Sequence, residues 1–284
     1  MTITVLVPSS LVREAEDKRE ATRKLGYVAR AATVFRADRI GIFPDPDGER
    51  RWGGGFVETV LTYAATPPYL RKEVWGMRSE LEYVGVLPPL RPSPQTGSGS
   101  NGPGSLRQGL VTEVGSEGRV RVNCGLQHPI SLPVPPNVEV SEGERVTIRV
   151  SSREPVRARL VDEPLPGLSI ERTDLSDALT QDDAGLRVAT SRHGQPLTVG
   201  WLGELTRRIE HDGLTVAFGS PGRGLPDIFA IDANTVGGED PPLVEPGTPG
   251  RFDLWLDAIP NQGSEVVRTE EAMFAVLSCL SLTE

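Results

Sequence analysis

The apolar positions follow three successive regimes along the 284 residues. From Thr2 to Val7 β-branched residues alternate, which predicts a strand, and Ser9 and Ser10 are placed to cap a helix behind it. Leu11, Ala15, Ala21, Leu25, Val28, Ala32 and Phe35 then recur at broadly helical spacing, predicting an amphipathic helix that runs to about Arg36. Arg39 to Phe43 reads as a second strand with the turn Asp45-Pro46-Asp47-Gly48 behind it, and Phe56 to Ala65 as a helix stopped by Pro67-Pro68. Strand–helix–strand–helix order requires a parallel sheet with helical crossovers.

Residues 93–104 hold neither a charge nor a large apolar side chain and predict a flexible linker. Beyond it the period changes. Leu106–Val114, Arg119–Asn123, Ile130–Val134, Arg145–Val150 and Val156–Val161 are short alternating runs, with turns at Gly115–Gly118 and Ser141–Glu144, so 105–161 predict a small β-barrel of the OB type. The helix–strand rhythm resumes near Gly167. Leu186–Thr190, Leu214–Gly219 and Leu254–Ile259 read as strands, Leu202–Ile209 as a helix and Thr269–Leu282 as the closing helix, with Thr269 as its N-cap. The expected organisation is one α/β domain, residues 1–92 with 162–284, carrying an inserted barrel.

Charge is uneven. Residues 1–92 carry 14 basic and 12 acidic side chains, residues 105–163 carry 8 of each, and residues 164–284 carry 8 basic and 19 acidic ones, against a total of −9. Any surface for RNA is therefore expected in the first half. Arg outnumbers Lys by 27 to 3, which a GC-rich genome or high-salt adaptation explains more readily than phosphate recognition. Two cysteines, Cys124 and Cys279, exclude a disulfide framework, and no basic leader or 20-residue apolar run appears. The expectation is a soluble, cytoplasmic protein with no membrane span. Cys124 reads as a small core residue, and Arg13, Lys18, Arg19, Arg23, Lys24 and Arg30 as a solvated helix face with a share in RNA contact.

Several chemistries lack their residues. His128, His193 and His211 have no metal-ligand spacing, so no metal is expected. Gly219-Ser-Pro-Gly-Arg-Gly224 has phosphate-loop spacing, but Leu225-Pro226 stand where Lys-Ser/Thr is needed. No Gly-x-Ser-x-Gly elbow is present, and Trp52-Gly-Gly-Gly55 lacks the third glycine of a dinucleotide fingerprint. Two segments stand out: Val216–Leu225, a strand ending in a glycine-rich turn, and Leu256–Glu271, a strand entering an ordered loop before a helix. Spacing alone favours two ordinary tight turns.

The chain nevertheless resembles the SPOUT, or α/β-knot, methyltransferases, and within them the archaeal and eukaryotic RNA (uridine-N3) methyltransferase family that carries an OB-like insertion. The resemblance rests on Tyr27–Ala32, Pro68–Lys72, Leu81–Gly85, Val122–Leu126, Thr190-Ser-Arg-His-Gly194, Phe218-Gly219, and Gln262-Gly-Ser264 through Arg268–Ala272, the last being the most specific. It implies a trefoil-knotted parallel sheet, a homodimer and S-adenosyl-L-methionine as cofactor. Phe218, Gly219, Asp257, Ile259, Pro260, Asn261, Gln262, Gly263 and Thr269 would surround that cofactor, and Arg192, or His193 in its place, would approach from the preceding loop. Two departures stand out: Asp257 takes the place of Asn in some relatives, and 196–212 differ in length. The implied reaction is methylation of N3 of a uridine in large-subunit ribosomal RNA, with Arg268 as the candidate catalytic residue and no general base identifiable. Two alternatives are a non-catalytic RNA-binding or ribosome-assembly factor using the knot as a dimerisation scaffold, and a protein methyltransferase.

Overall fold

The computed structural model describes residues 1–92, 105–116, 118–136, 138–153, 156–236 and 252–282; the expected linker 93–104 lies outside them. In chain order the elements are β1 (Ile3–Pro8), α1 (Lys18–Val34), β2 (Arg39–Phe43), α2 (Gly54–Ala65), α3 (Pro68–Val74), β3 (Ser105–Val114), β4 (Arg119–Asn123), β5 (Ile130–Pro133) and β6 (Arg145–Arg153). There follow β7 (Val156–Val161), β8 (Ser169–Arg172), α4 (Leu175–Thr180), β9 (Leu186–Pro196), α5 (Val199–Asp212), β10 (Leu214–Ala217), α6 (Leu225–Ile228), β11 (Leu254–Asp257) and α7 (Thr269–Leu280). They divide into two compact units, one of residues 1–64, 80–90 and 168–284, the other of 65–79 and 91–167.

The first unit is built on a six-stranded sheet of order β11-β9-β10-β1-β2-β8, in which every pairing is parallel. A parallel sheet is covered on both faces, so its inner strands are apolar throughout rather than alternating. All six residues of β1 and all four of β10 are accordingly buried. On one face Phe43, Phe252 and Trp255 cluster with Leu6, Leu179, Ala217 and Leu225. α1 buries Ala21, Leu25, Val28 and Ala32, and α7 buries Met273, Val276, Leu277 and Leu280, the spacing of one helical stripe, and the two helices pack together. The strand order reverses at β1, where β2 and β10 lie on opposite sides, and again at β9, between β10 and β11.

In the second unit a five-stranded antiparallel sheet of order β5-β4-β3-β6-β7 curls until its outer strands approach one another, giving the barrel-like form expected of 105–161. Val111, Val120, Val122, Leu132, Ile148 and Leu160 fill it with Cys124, whose thiol is pushed up in pKa by burial. This unit also takes in 65–79, because Tyr69 of α3 donates its hydroxyl to the Gln108 carbonyl of β3 (2.8 Å).

Four local expectations are corrected. α1 starts at Lys18, capped by Asp17 accepting from the Glu20 amide (2.7 Å), while Ser9 and Ser10 turn instead to Asp45. The N-cap of α7 is Arg268, one residue before Thr269. β9 does not end at Thr190: it resumes against β11 at Gln195 and Pro196. Of the six bases expected on the first helix, Arg13 lies ahead of it and only Arg19 and Arg23 are exposed; Lys24 is buried against Glu14, Lys18 pairs with Glu82 (3.2 Å), and Arg30 donates to the Leu90 carbonyl (2.7 Å).

β9 and β11 are clasped by Arg187 and Asp253. Two guanidinium nitrogens reach the two carboxylate oxygens at 2.7 and 3.0 Å, and the Arg187 amide adds a third bond at 2.9 Å. Burial works to raise the Asp253 pKa, but the bonds and charge of Arg187 outweigh it and hold the carboxyl below its ordinary range. That contribution is present above the ordinary carboxylate pKa and is lost as pH falls through the depressed one. Asp253→Asn should thus cost about 2 kcal/mol at neutral pH and progressively less on acidification, so that urea-unfolding free energies of variant and parent converge at low pH; a constant gap would remove the pair from the acid side of the stability curve.

Candidate active site

Because every strand of the first sheet runs the same way, the carboxyl ends gather along one edge, where open α/β sheets bind ligands at points of reversed strand order. Three neighbouring loops meet there: 190–194 inside β9, 218–224 behind β10, and 258–268 behind β11.

The first is an excursion. Trp255 pairs with Ala189, yet the next residue, Leu256, pairs with Gln195, so Thr190–Gly194 leave the ladder opposite a single step of β11. A Cβ on Gly194 would stand 2.7 Å from the Trp255 carbonyl carbon, so the strands can close over the excursion only with glycine there. Thr190 donates to the Ala217 carbonyl (2.9 Å), which ties the excursion to β10. Arg192 and His193 project into solvent, with the Arg192 Nε donating to the His193 Nε2 at 3.2 Å.

The second loop turns tightly on itself. A Cβ on Gly219 would lie 2.9 Å from the Gly224 Cα and 3.0 Å from the Leu225 nitrogen, so glycine is required by the turn's own backbone. Phe218 is buried and offers only its backbone to the edge. Behind the turn lies a polar knot of side chains not foreseen from the sequence. Arg223 clamps Asp45 with nitrogens at 2.9 to 3.2 Å from its oxygens, Ser10 donates to the same carboxylate (2.5 Å), and the Ser10 and Ser220 hydroxyls are 3.1 Å apart. The charge-assisted clamp holds Arg223 and with it the shape of 219–224, and it spans the β2, β1 and β10 ends. Only the Gly-x-x-x-x-Gly spacing hinted at this turn.

The third loop holds most of the residues expected around a cofactor. Asp257 accepts from the Ile259 amide (3.0 Å) and so shapes its own loop, while Asn261 takes a left-handed backbone with φ of 63°. Gln262 turns its side-chain amide back onto the Ser264 carbonyl (2.9 Å). Pro260, Asn261, Gly263 and Arg268 are exposed, and Ile259 is half-buried. Among the described residues no backbone N–H from 261 to 267 has an acceptor, which leaves a row of donors free for a ligand. No heavy atom beyond its chain neighbours lies within 4 Å of a Cβ built on Gly263. Thr269, buried at the start of α7, donates to the Gly219 carbonyl at 2.9 Å and so fastens the third loop to the second. The structure thus joins Gly219 and Thr269 directly, sets Arg192 on the strand beside β11, and leaves the Arg268 guanidinium without a hydrogen-bond partner among the described residues.

Next to Thr269, Glu270 is buried near Lys24 and Glu14. Desolvation lowers the Lys24 pKa and raises that of Glu270, and one carboxylate oxygen of each glutamate lacks a partner among the described residues. Nothing in the sequence separates this group from a solvated helix face, because Lys24 falls beside the buried stripe. Among the described residues no cluster of three His, Cys, Asp or Glu side chains could hold a metal, and no helix is long and apolar enough to cross a membrane.

Known proteins share this organisation in sequence. An uncharacterized protein of Halobacterium salinarum is 70% identical over 284 residues, the full length of both chains, and one of Haloarcula marismortui is 66% identical over 285, again the full length of both. The human 28S rRNA (uridine-N(3))-methyltransferase is 26% identical over 314 aligned positions that cover 98% of this chain and 77% of that protein. A sequence model of the family described as "Putative RNA methyltransferase" matches residues 2–280, and with that match across both units the chain belongs to this family and is an RNA methyltransferase.

Proposed function

We propose that the protein transfers the methyl group of S-adenosyl-L-methionine to N3 of a uridine in large-subunit ribosomal RNA, working as a homodimer with its carboxyl-end loops in a trefoil knot. The observation that carries this reading is the meeting of three loops at one sheet edge, fastened by Thr269 to Gly219, with free backbone donors along 261–267. An adenine edge and a ribose call for such donors beside half-buried apolar groups, here Ile259 and Val267, so the residues present fit the cofactor. The knot reading draws support from the backbone approach at Gly194 and from α7 being pinned behind the β10 turn. The substrate reading draws on relatives in human, mouse and fruit fly, each named a 28S rRNA (uridine-N(3))-methyltransferase.

When bound, S-adenosyl-L-methionine supplies a methyl carbon made electrophilic by its sulfonium. The chain's own task is to position a uridine and manage its charge. N3 carries a weakly acidic proton and is a poor nucleophile until that proton leaves, and it lies on the pairing edge, so the nucleotide must be unpaired or flipped out. Holding N3 in line contributes through orientation. The negative charge that spreads onto O2 and O4 calls for a cation, and Arg268, exposed at the start of α7 with no hydrogen-bond partner for its guanidinium among the described residues, is our candidate. An arginine serves there without itself titrating.

Four results are expected. With methyl-labelled cofactor and total RNA, label should enter the RNA pool and appear as 3-methyluridine after nuclease digestion; label in the protein pool alone would overturn the RNA assignment. Gly263→Val should fold normally, since its side chain meets open space, yet lower cofactor affinity at least ~10-fold by calorimetry, about 1.4 kcal/mol. Gly219→Val, by contrast, should fail in folding through its backbone clash, so unchanged binding at Gly263 would move the pocket elsewhere. Arg268→Ala should lower kcat by about 10²-fold or more and leave the cofactor Kd within a few-fold, whereas an equal loss in Kd would make it a binding residue.

A further inference from the structure

The second unit carries a groove that the methyl-transfer reading does not use. It runs between the two outer strands of the barrel-like sheet, β5 and β7, and encloses about 830 Å³. Its walls are basic on both sides. Arg119 projects from β4 beside Ser131 of β5; Arg157 and Arg159 project from β7, and Arg149 stands beside Arg159 in register on β6. Arg119 is fixed in place, donating from Nε to the Ser131 hydroxyl (3.0 Å) and from Nη2 to the Ser131 carbonyl (2.9 Å). Arg157 and Arg159 are exposed and pair with no carboxylate among the described residues.

Arg149 is the second, independent observation. Its side chain is only 4% exposed, and one nitrogen meets Glu163 at 2.5 Å, while Nε and Nη1 have no acceptor among the described residues. Glu163 answers the charge of Arg149 at one nitrogen, so what this buried guanidinium offers the groove is its two unanswered N–H donors in a low-dielectric wall. Residues 105–163 carry eight basic and eight acidic side chains, so this is a separation of charge rather than an excess. The groove's wall gathers four arginines, and Glu139, Glu142 and Glu144 lie in the segment between β5 and β6, outside the groove lining. No aromatic side chain lines the groove, which removes the stacking platform that reads or grips bases.

We infer that this groove binds the phosphodiester backbone of single-stranded RNA, tracking its phosphates without reading its bases. The inference rests on the RNA substrate of the proposed reaction but concerns binding alone, so it stands or falls separately. A cleft with cations on both walls and no aromatic ring for a base to stack on fits an extended polyanion, and its affinity must fall with salt through counterion release.

The test uses the full chain and a fluorescein-labelled 15-nucleotide oligouridylate, with Kd read by anisotropy from 50 to 300 mM salt. Arg157→Ala/Arg159→Ala removes two exposed cations and should leave the melting temperature unchanged. It should weaken binding at least ~10-fold at 50 mM salt and reduce the log–log salt slope by about 0.7 for each phosphate no longer neutralised. Arg208→Ala, which removes an exposed cation of the other unit, should leave the slope as it is. Oligoadenylate should bind within a few-fold of oligouridylate. An unchanged slope in the double variant, a strong preference between the two oligonucleotides, or tighter binding of polyglutamate than of either would each overturn the proposal. If the groove behaves as expected while no RNA becomes methylated, the reaction assignment fails and the groove stands. If RNA is methylated at full rate by a double variant with unaltered affinity, the groove fails and the reaction stands.

Discussion

Parallel alignment of six strands is the constraint from which the site follows. When every strand runs in the same direction, no two neighbours can be joined by a tight hairpin, and every loop that leaves a strand leaves from the same edge. Two reversals of strand order, at β1 and at β9, then part neighbouring loops and leave clefts between them. The hydrogen bond from Thr269 to the Gly219 carbonyl closes one of those clefts by fastening α7 to the β10 turn, and the Arg223–Asp45 clamp stiffens the same turn from behind. Both fasteners act on 219–224, so the shape of that turn is set twice over. The loop behind β11 is the opposite case, with the amides of 261–267 uncommitted among the described residues and its surface open at Gly263. A rigid floor beside a loop with free donors suits a ligand that must be held by its edges.

The second unit obeys different physics. Its antiparallel sheet has one apolar face, turned inward around Cys124 and Ile148, so its outward positions are free to carry charge. Alternation puts Arg157 and Arg159 on one face and Ala158 and Leu160 on the other, and the register of β6 against β7 sets Arg149 beside Arg159. The groove's basic lining is thus a consequence of strand period and register within residues 105–163, whose total charge is zero.

The same period made the barrel strands readable from the sequence: Arg119–Asn123 and Val156–Val161 are observed with the bounds that alternation predicts. The β-branched run Thr2–Val7 likewise marks β1, and the capping signal at Thr269 marks the start of α7 to within one residue of its N-cap. What stayed hidden depends on partners distant in the chain. Ser9 and Ser10 suit a helix cap by type, but Asp45, thirty-five residues beyond Ser10, takes them. β8, α3 and α4 are too short for a periodic signal and form because a neighbouring element is there to meet them. The excursion at 190–194 is invisible in sequence, because only the β11 backbone crossing at Gly194 separates it from an ordinary loop. Candidate site residues were found by motif resemblance; their division into those that shape the loops, such as Asp257 and Gln262, and those left exposed, such as Gly263 and Arg268, emerged only in three dimensions.

The central claim is that the three loops at the carboxyl edge together hold the methyl donor. Amide hydrogen exchange with and without saturating S-adenosyl-L-methionine tests it most directly, since it reads every described loop at once. Exchange should slow in 190–194, 218–224 and 258–268 together, with the barrel strands unchanged. The claim would be contradicted by protection confined to the separate cavity of about 420 Å³ lined by Ser9, Phe43, Glu49, Gly54 and Arg172, with those three loops exchanging as before.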